Sequence, residues 1–252
     1  MMIKVSIITA VLNEVGLIEQ CINSVLDQSY ENIEYIIVDG GSADGTIEVI
    51  KKYENKISNW ISKHDNGLYF AMNEGLQMAS GNIVGFLHAD DFYANNKIIE
   101  TVIFQMIKYN VDACYGDLLY VDRYDAEKII RYWKSSTYVD GLFKSGWMPP
   151  HPTLFIKRDI YNRYGFFNTD FRIAADYELM LRFFEKSKIS SHYIPEVLIK
   201  MRVGGVSNRN IGNIFRKTSE DYKAWKVNNL CGGGYTILRK NISKIPQFFV
   251  RK

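Results

Sequence analysis

The amino-acid sequence predicts an α/β fold built on a mostly parallel central sheet flanked by helices. Two observations carry that prediction. A β-branched run at residues 4–9 opens the chain, and short apolar runs at 33–38 and 83–89 stop abruptly at acidic residues, as buried strands do. Between them lie segments of roughly ten residues with apolar side chains at helical spacing, so strand and helix alternate as in βαβ units.

The elements follow in order. Residues 4–9 form the first strand. Residues 16–28 carry Leu17, Ile18, Cys21, Ile22, Val25 and Leu26 at helical spacing. Residues 33–38 form a second strand stopped by Asp39-Gly40-Gly41-Ser42, and Asp44 caps a helix running to 53. A strand at 57–62 and a helix at 69–79, ended by Ser80-Gly81, lead into the strand that stops at Asp90-Asp91. Beyond it come a helix at 98–108 and strands at 112–120 and 128–134, the latter in a more mixed, half-exposed sheet. A rigid Met148-Pro149-Pro150-His151-Pro152 loop precedes a strand at 153–156. A helix at 174–185, a strand at 191–201 and a helix at 211–228 complete the pattern, and Cys231-Gly232-Gly233-Gly234 breaks it.

A chain of 252 residues with 47% apolar content has ample material for one sizeable core. The expected organisation is a catalytic domain at 1–208, with halves at 1–92 and 93–208, followed by a basic helical tail at 209–252. That tail holds ten Lys/Arg against Glu220 and Asp221, a net +8 within a chain of net +3, which leaves the remainder at −5. No apolar run approaches the roughly 18 residues of a membrane span, and the N-terminus reads as strand rather than signal peptide. Three cysteines, far apart and odd in number, fit a reducing cytoplasm.

In open α/β sheets ligands bind beyond the carboxyl ends of the strands. The residues there are Thr9-Ala10-Val11-Leu12-Asn13-Glu14, Asp39 to Thr46, and Asp90-Asp91. A dinucleotide site needs G-x-G-x-x-G after the first strand, which this strand lacks. Asp39 suits the N3–H of a pyrimidine or a ribose hydroxyl, and suits equally a turn. Asp65 and Asn73, at the ends of a loop-to-helix junction, fit ribose and phosphate contacts or plain caps. Two adjacent carboxylates repel unless a cation is near, and a divalent cation carrying a diphosphate is the simplest partner for Asp90 and Asp91.

Taken in order, these blocks resemble family 2 glycosyltransferases of the GT-A fold. The resemblance rests on Val5-Ser6-Ile7-Ile8-Thr9, on Ile36 to Thr46, on Asp65-Asn66-Gly67 with Ala71-Met72-Asn73-Glu74-Gly75, and on Gly81 to Asp91. Pro150-His151-Pro152-Thr153 and Ala174-Ala175-Asp176-Tyr177-Glu178-Leu179 continue it. It covers about the first 200 residues and is closest to the branch that builds bacterial surface polysaccharides.

The resemblance implies roles. Thr9, Val11, Asn13 and Glu14 line the nucleotide pocket, Asp39 contacts the base, Asp65 and Asn73 lie near the nucleoside, and His88 and Asp90 approach the diphosphate. Asp90 and Asp91 hold Mn²⁺ or Mg²⁺, and Asp176 is the catalytic base. It also implies a smaller mixed sheet on the acceptor side. The reaction expected is inverting transfer from a nucleotide-diphosphate sugar, UDP-linked by preference, to a glycan or polyprenyl-linked acceptor.

Three positions depart from the family pattern: His88 stands for a frequent Asp or Asn, Gly40 for a frequent second acid, and Ala175 for a common Glu. The rival readings are a non-catalytic sugar-nucleotide binder and a nucleotidyltransferase. The second is disfavoured because residues 10–15 hold no Gly, Lys or Arg to cradle a triphosphate. His151 fits either a structural loop or a ligand contact, and Trp147 is the best aromatic platform for the acceptor. The tail interleaves Trp225 and the apolar residues of 235–252 with Lys and Arg, which suits an anionic membrane surface at the inner face; a solvated tail or a helix packed on the domain fits the same residues. No nucleic-acid motif appears.

Overall fold

The computed structural model describes residues 2–204, 211–232, 234, 236 and 237. Strand β1 (Val5–Val11) pairs in parallel with β2 (Ile33–Asp39) and β4 (Ile83–Phe86), and β3 (Asn59–Ser62) extends the parallel set beyond β2. Strand β8 (Phe155–Lys157) enters antiparallel between β4 and β6 (Ala113–Val121). Strand β9 (Ser191–Arg202) lies parallel to β6, β5 (Phe92–Tyr93) closes that edge, and β7 (Ile129–Trp133) pairs with β6. The order is β3-β2-β1-β4-β8-β6-β9-β5. The mixed strands therefore continue one sheet and do not form the separate smaller one expected.

Side chains alternate across a strand, so β1 feeds two cores. Val5, Ile7 and Val11 pack against α1 (Ile18–Leu26) and α4 (Ile98–Tyr109), with α2 (Thr46–Lys52) on the same side. Ile8 and Ala10 pack against α3 (Leu68–Met78) and, further along, α6 (Ala175–Met180). At Gly75 a Cβ would come within 2.3 Å of Ile8 Cγ2, so only glycine lets α3 lie this close to β1.

The structure moves several boundaries. β4 ends at Phe86, and the chain then turns, with the Asp91 amide donating to the His88 carbonyl at 3.0 Å. The expected strand at 153–156 starts as a 3₁₀ turn, His151–Thr153. The expected helix at 174–185 is α6 followed by a π-helical segment, Leu181–Lys186. Helix α5 (Arg158–Tyr164) and β5 carried too short an apolar pattern to be expected.

Helix α7 (Ile211–Val227) is not a tail set apart from the domain. Trp225 is fully buried and its indole N–H donates to the Tyr177 hydroxyl at 3.0 Å, while Asn228 donates to Glu178 at 3.0 Å. Thr236 and Ile237 are buried as well. The rest of the segment expected to suit a membrane surface, Tyr235 and 238–252, lies outside the described residues. Among the described residues no helix is long and apolar enough to cross a membrane.

Candidate active site

At the carboxyl ends of β1 and β2 two loops are zipped together. The Asn13 amide donates to Ser42 Oγ (2.8 Å), and the Ala43 amide donates to Asn13 Oδ1 (2.9 Å). The Val15 amide donates to Asp44 Oδ2 (3.0 Å), and Asp44 Oδ1 also accepts from Thr46 N (3.0 Å) at the start of α2. Asp44 therefore ties the loop beside the cap, whose position Gly45 takes with φ 102°. Asn13 itself adopts φ 54°, a left-handed conformation Asn tolerates.

Asp39 is fully buried, and its carboxylate organises this corner. Oδ2 accepts from the Gly41 and Ser42 amides (both 3.0 Å) and from Ser62 Oγ (2.6 Å), and Oδ1 accepts from Ser42 Oγ at 2.5 Å. Asp65 lies directly over Gly40 and accepts from the Gly67 amide at 2.8 Å. A Cβ at position 40 would meet Asp65 Oδ2 at 2.9 Å, so a side chain there would require Asp65 to shift.

Three expected pocket residues are engaged elsewhere. Thr9 is 0% exposed on the helix-covered side, with its hydroxyl 3.1 Å from the Tyr35 hydroxyl. Strand parity decides this: Thr9 shares its face with Val5, Ile7 and Val11. The Val11 side chain is buried there too, and only its carbonyl, accepting from Gly40 N at 2.9 Å, borders the loop. Asn73 clips Phe167, donating to its carbonyl and accepting from its amide at 2.9 Å each, so its amide group is used in joining α3 to the 167 loop.

The two acids after β4 diverge. The Asp90 side chain is 17% exposed, with Arg123 Nη1 at 3.9 Å. Asp91 is 1% exposed, and its Oδ1 accepts from the Arg202 amide at 3.3 Å while Oδ2 has no hydrogen-bond partner. Burial pushes the Asp91 carboxyl well above the usual carboxylate range. Asp90 alone of the two reaches the surface, so of the expected metal pair Asp91 lies buried behind the site.

His88, half-buried, faces His151 with ring centroids 6.4 Å apart. His151 lies on Phe86 and Phe167 at 5.9 and 5.6 Å. Burial lowers both imidazoles, His151 to about 4, against the opposing charge of Asp176, and Asp90 opposes it at His88 as well. Burial thus favours the uncharged form of both rings. Asp176 stands in the first turn of α6, where Tyr69 donates to its Oδ1 at 3.2 Å and to the Ile173 carbonyl at 2.8 Å. Trp147, by contrast, is stacked by Tyr138 at 5.7 Å and edged by Phe143 at 5.4 Å, so it belongs to the aromatic core as much as to any acceptor surface.

Residues the sequence reading did not single out complete the site. Arg123, just beyond β6, reaches back to Glu14 with Nη2 at 2.7 Å from Oε2. Arg202, the last residue of β9, holds the Arg123 carbonyl at 3.1 Å and bonds Gln20. Glu220 of α7 accepts from the backbone amides of Arg172 (3.1 Å), Ile173 (2.9 Å) and Ala174 (2.9 Å), the residues leading into Asp176. No local motif marks these three; only the folded chain brings them to the site.

Among the described residues no group of three or more His, Cys, Asp or Glu is disposed to hold a metal ion by itself. Asp90 with His88 still fits a divalent cation of the kind that takes one or two protein ligands and completes its shell with substrate phosphates and water.

The model of the family described as "Glycosyl transferase family 2" matches residues 6–175. The chain belongs to that family. Among the relatives of this family 2 glycosyltransferase is a "PGL/p-HBAD biosynthesis glycosyltransferase" of Mycobacterium bovis, 28% identical over 84% of this chain and 82% of its own length. An uncharacterised glycosyltransferase of Rickettsia prowazekii is 31% identical over 82% of this chain and 66% of its own. In fold it is similar to residues 1–349 of Staphylococcus aureus TarS in complex with UDP-GlcNAc, with TM-score 0.69, 15% identity, and coverage of 98% of this chain and 72% of that one. It spans 43% of the fuller TarS chain. A mannosyltransferase from Pyrobaculum calidifontis, in complex with GDP-Man and Mn²⁺, matches with TM-score 0.67 and 17% identity over 96% of this chain and 69% of that one. The fold is thus GT-A-like, and the enzyme is a glycosyltransferase. The family match stops at residue 175, one residue short of Asp176.

Proposed function

We propose that this glycosyltransferase transfers a sugar from a nucleotide-diphosphate donor, UDP-linked by preference, to a hydroxyl of a glycan or polyprenyl-linked acceptor in bacterial surface-polysaccharide synthesis, with inversion at the anomeric carbon. The observation that carries this reading is that partly exposed Asp90 follows His88 beyond the end of the parallel strand β4, with the His88 ring 6.4 Å from that of buried His151 and Asp176 near enough for its charge to act on both imidazoles. A family whose fold relatives are found with UDP-GlcNAc and GDP-Man supports the donor class. The basic and aromatic composition of 235–252 supports a membrane-borne acceptor.

Glu14, Asn13 and the Gly40–Ser42 loop that buried Asp39 braces receive the nucleoside, and Asp65 bounds that pocket over Gly40. Asp90 and His88 would hold Mn²⁺ or Mg²⁺, the imidazole being a ligand type better suited to Mn²⁺. Bound there, the cation would neutralise charge growing on the leaving diphosphate. Asp176 takes the proton of the attacking hydroxyl. It stands in the first turn of α6, where negative charge is favoured, and the Tyr69 hydroxyl lies 3.2 Å from its Oδ1. Displacement from the face opposite the leaving group inverts the sugar. The neutral rings of His88 and His151 bound the reacting space without adding charge.

The test is nucleoside diphosphate release from UDP-, GDP- and dTDP-sugars, with and without Mn²⁺ and with a lipid-linked acceptor extract. Metal-dependent release from one donor is expected. Asp90→Asn and Asp176→Asn should each lower it by about 100-fold or more, the scale of a lost metal ligand or general base. Asp91→Asn should retain most of it. Full activity in Asp176→Asn would overturn the assignment of the base.

A further inference from the structure

The donor reading leaves one group at the site unexplained. Arg123 joins Glu14 to Asp90, spanning from the loop after β6 to the loop after β1 and the turn after β4. Its two terminal nitrogens behave differently. Nη2 makes a close ion pair with Glu14 at 2.7 Å. Nη1 is buried from solvent, has no hydrogen-bond partner, and stops 3.9 Å short of Asp90 Oδ2. A desolvated guanidinium N–H without an acceptor is costly, and native proteins seldom keep one without a use. The side chain is not loose: Arg202 holds the Arg123 carbonyl at 3.1 Å, and Arg202 is itself stacked on Phe92 at 5.1 Å. The backbone is thus anchored and the head group is aimed into the gap beside Asp90.

Resting on the donor reading above, we propose that Arg123 is a diphosphate-binding residue of this enzyme, its Nη1 awaiting a phosphate oxygen of the nucleotide. Before the donor arrives, Arg123 serves as the counter-ion of Glu14 and Asp90 and keeps two acids compatible at one surface. When the donor binds, the guanidinium offers its fork to the phosphates, for which its planar geometry is suited and a lysine's point charge is not. As the bond from the anomeric carbon to the diphosphate oxygen breaks, the electron pair stays on that oxygen, and Arg123 is placed to stabilise it. No motif in the sequence announces this residue, because it lies in a polar hairpin, 122–128, distant along the chain from every other donor contact.

Isothermal titration of the full chain with UDP, GDP and dTDP, each beside its monophosphate and with Mn²⁺ present, tests this directly. For the diphosphate that the native chain binds, Arg123→Met should weaken binding by about 10- to 100-fold, the range of a lost charge-assisted hydrogen bond, and should weaken the monophosphate less. Arg123→Lys should recover only part of the loss. Equal binding of the diphosphate by native, Met and Lys variants overturns the inference while leaving the donor reading intact. Should the Met variant fail to fold by circular dichroism, the Lys variant decides on the same criterion. Absence of binding to all three diphosphates by the native chain overturns the donor reading itself.

Discussion

Glu220 tests whether α7 helps to hold the base. Glu220→Ala removes a carboxylate that accepts three backbone amides at 3.1, 2.9 and 2.9 Å, at Arg172, Ile173 and Ala174. Arg172 is exposed and Ile173 half-buried, so water replaces the carboxylate there, whereas Ala174 is 1% exposed and its amide is stranded. One stranded buried amide costs about 1–3 kcal/mol and the two rehydrated ones less, so the total is about 3 kcal/mol rather than three full charged bonds. In a chain of this size that lowers Tm by about 6–12 °C. The catalytic consequence is larger. Asp176 follows Ala174 by two residues, and a shift of about 1 Å in a reacting group costs about 100-fold. The assay pairs nucleoside diphosphate release with donor titration and thermal melting. The expected result is kcat lower by about 100-fold with donor Kd within about twofold of native, since no nucleotide contact passes through Glu220. A variant that melts earlier yet keeps its kcat would refute the positioning role and leave Glu220 as a plain structural cap.

Two further outcomes concern pH and stability. His151 is held to about 4 by burial. Above pH 6.5 the imidazole is neutral whether folded or unfolded, so its contribution is complete; as pH falls from 6.5 towards 4 the unfolded chain takes up a proton that the folded one refuses. Stability should fall by about 1.4 kcal/mol per pH unit across that window, about 3 kcal/mol in all, and His151→Asn should flatten the slope in chemical denaturation. Glu34, near the amino end of β2 and away from the site, accepts from Lys4, Ser6 and Ser80 at 2.5–2.7 Å, and its pKa is lowered to about 2 by those bonds against the cost of burial. Its contribution is complete above about 4.5 and lost as pH drops towards 2, so Glu34→Gln should cost about 3 kcal/mol at pH 7 with nucleotide binding unchanged. A native-like melt of that variant would refute the assignment.

The parallel half of the fold was legible because its buried strands are short, largely apolar, β-branched runs, two of them closed by Asp39 and by Asp90-Asp91, with segments at helical spacing between them. The residue types of the site were legible too, in Asp39, Asp65, His88, Asp90 and Asp176. What each polar atom is already bonded to was not. Asn73 and Asp91 have the right chemistry for a ligand, yet one is used by the Phe167 backbone and the other is buried against Arg202. Thr9 was readable in principle, since its parity with Val5 and Ile7 places it on the helix-covered face. Arg123, Arg202 and Glu220 were not readable at all. Each acts on a partner at least 46 residues away, across a sheet whose strand order departs from chain order.

The reversed direction of β8 decides where the chain is free to vary. Because β8 runs against β4, its beginning lies beside β4's end, and His151 reaches the site by preceding a strand rather than following one. The residues that lead into that turn, 134–150, start from the end of β7, which has run back from the reacting edge, and return to it at His151. Phe143, Trp147 and Met148 tie the span to the aromatic core. Change that leaves every strand register intact is therefore confined to its outward positions, such as Ser136, Thr137, Val139, Asp140 and Lys144.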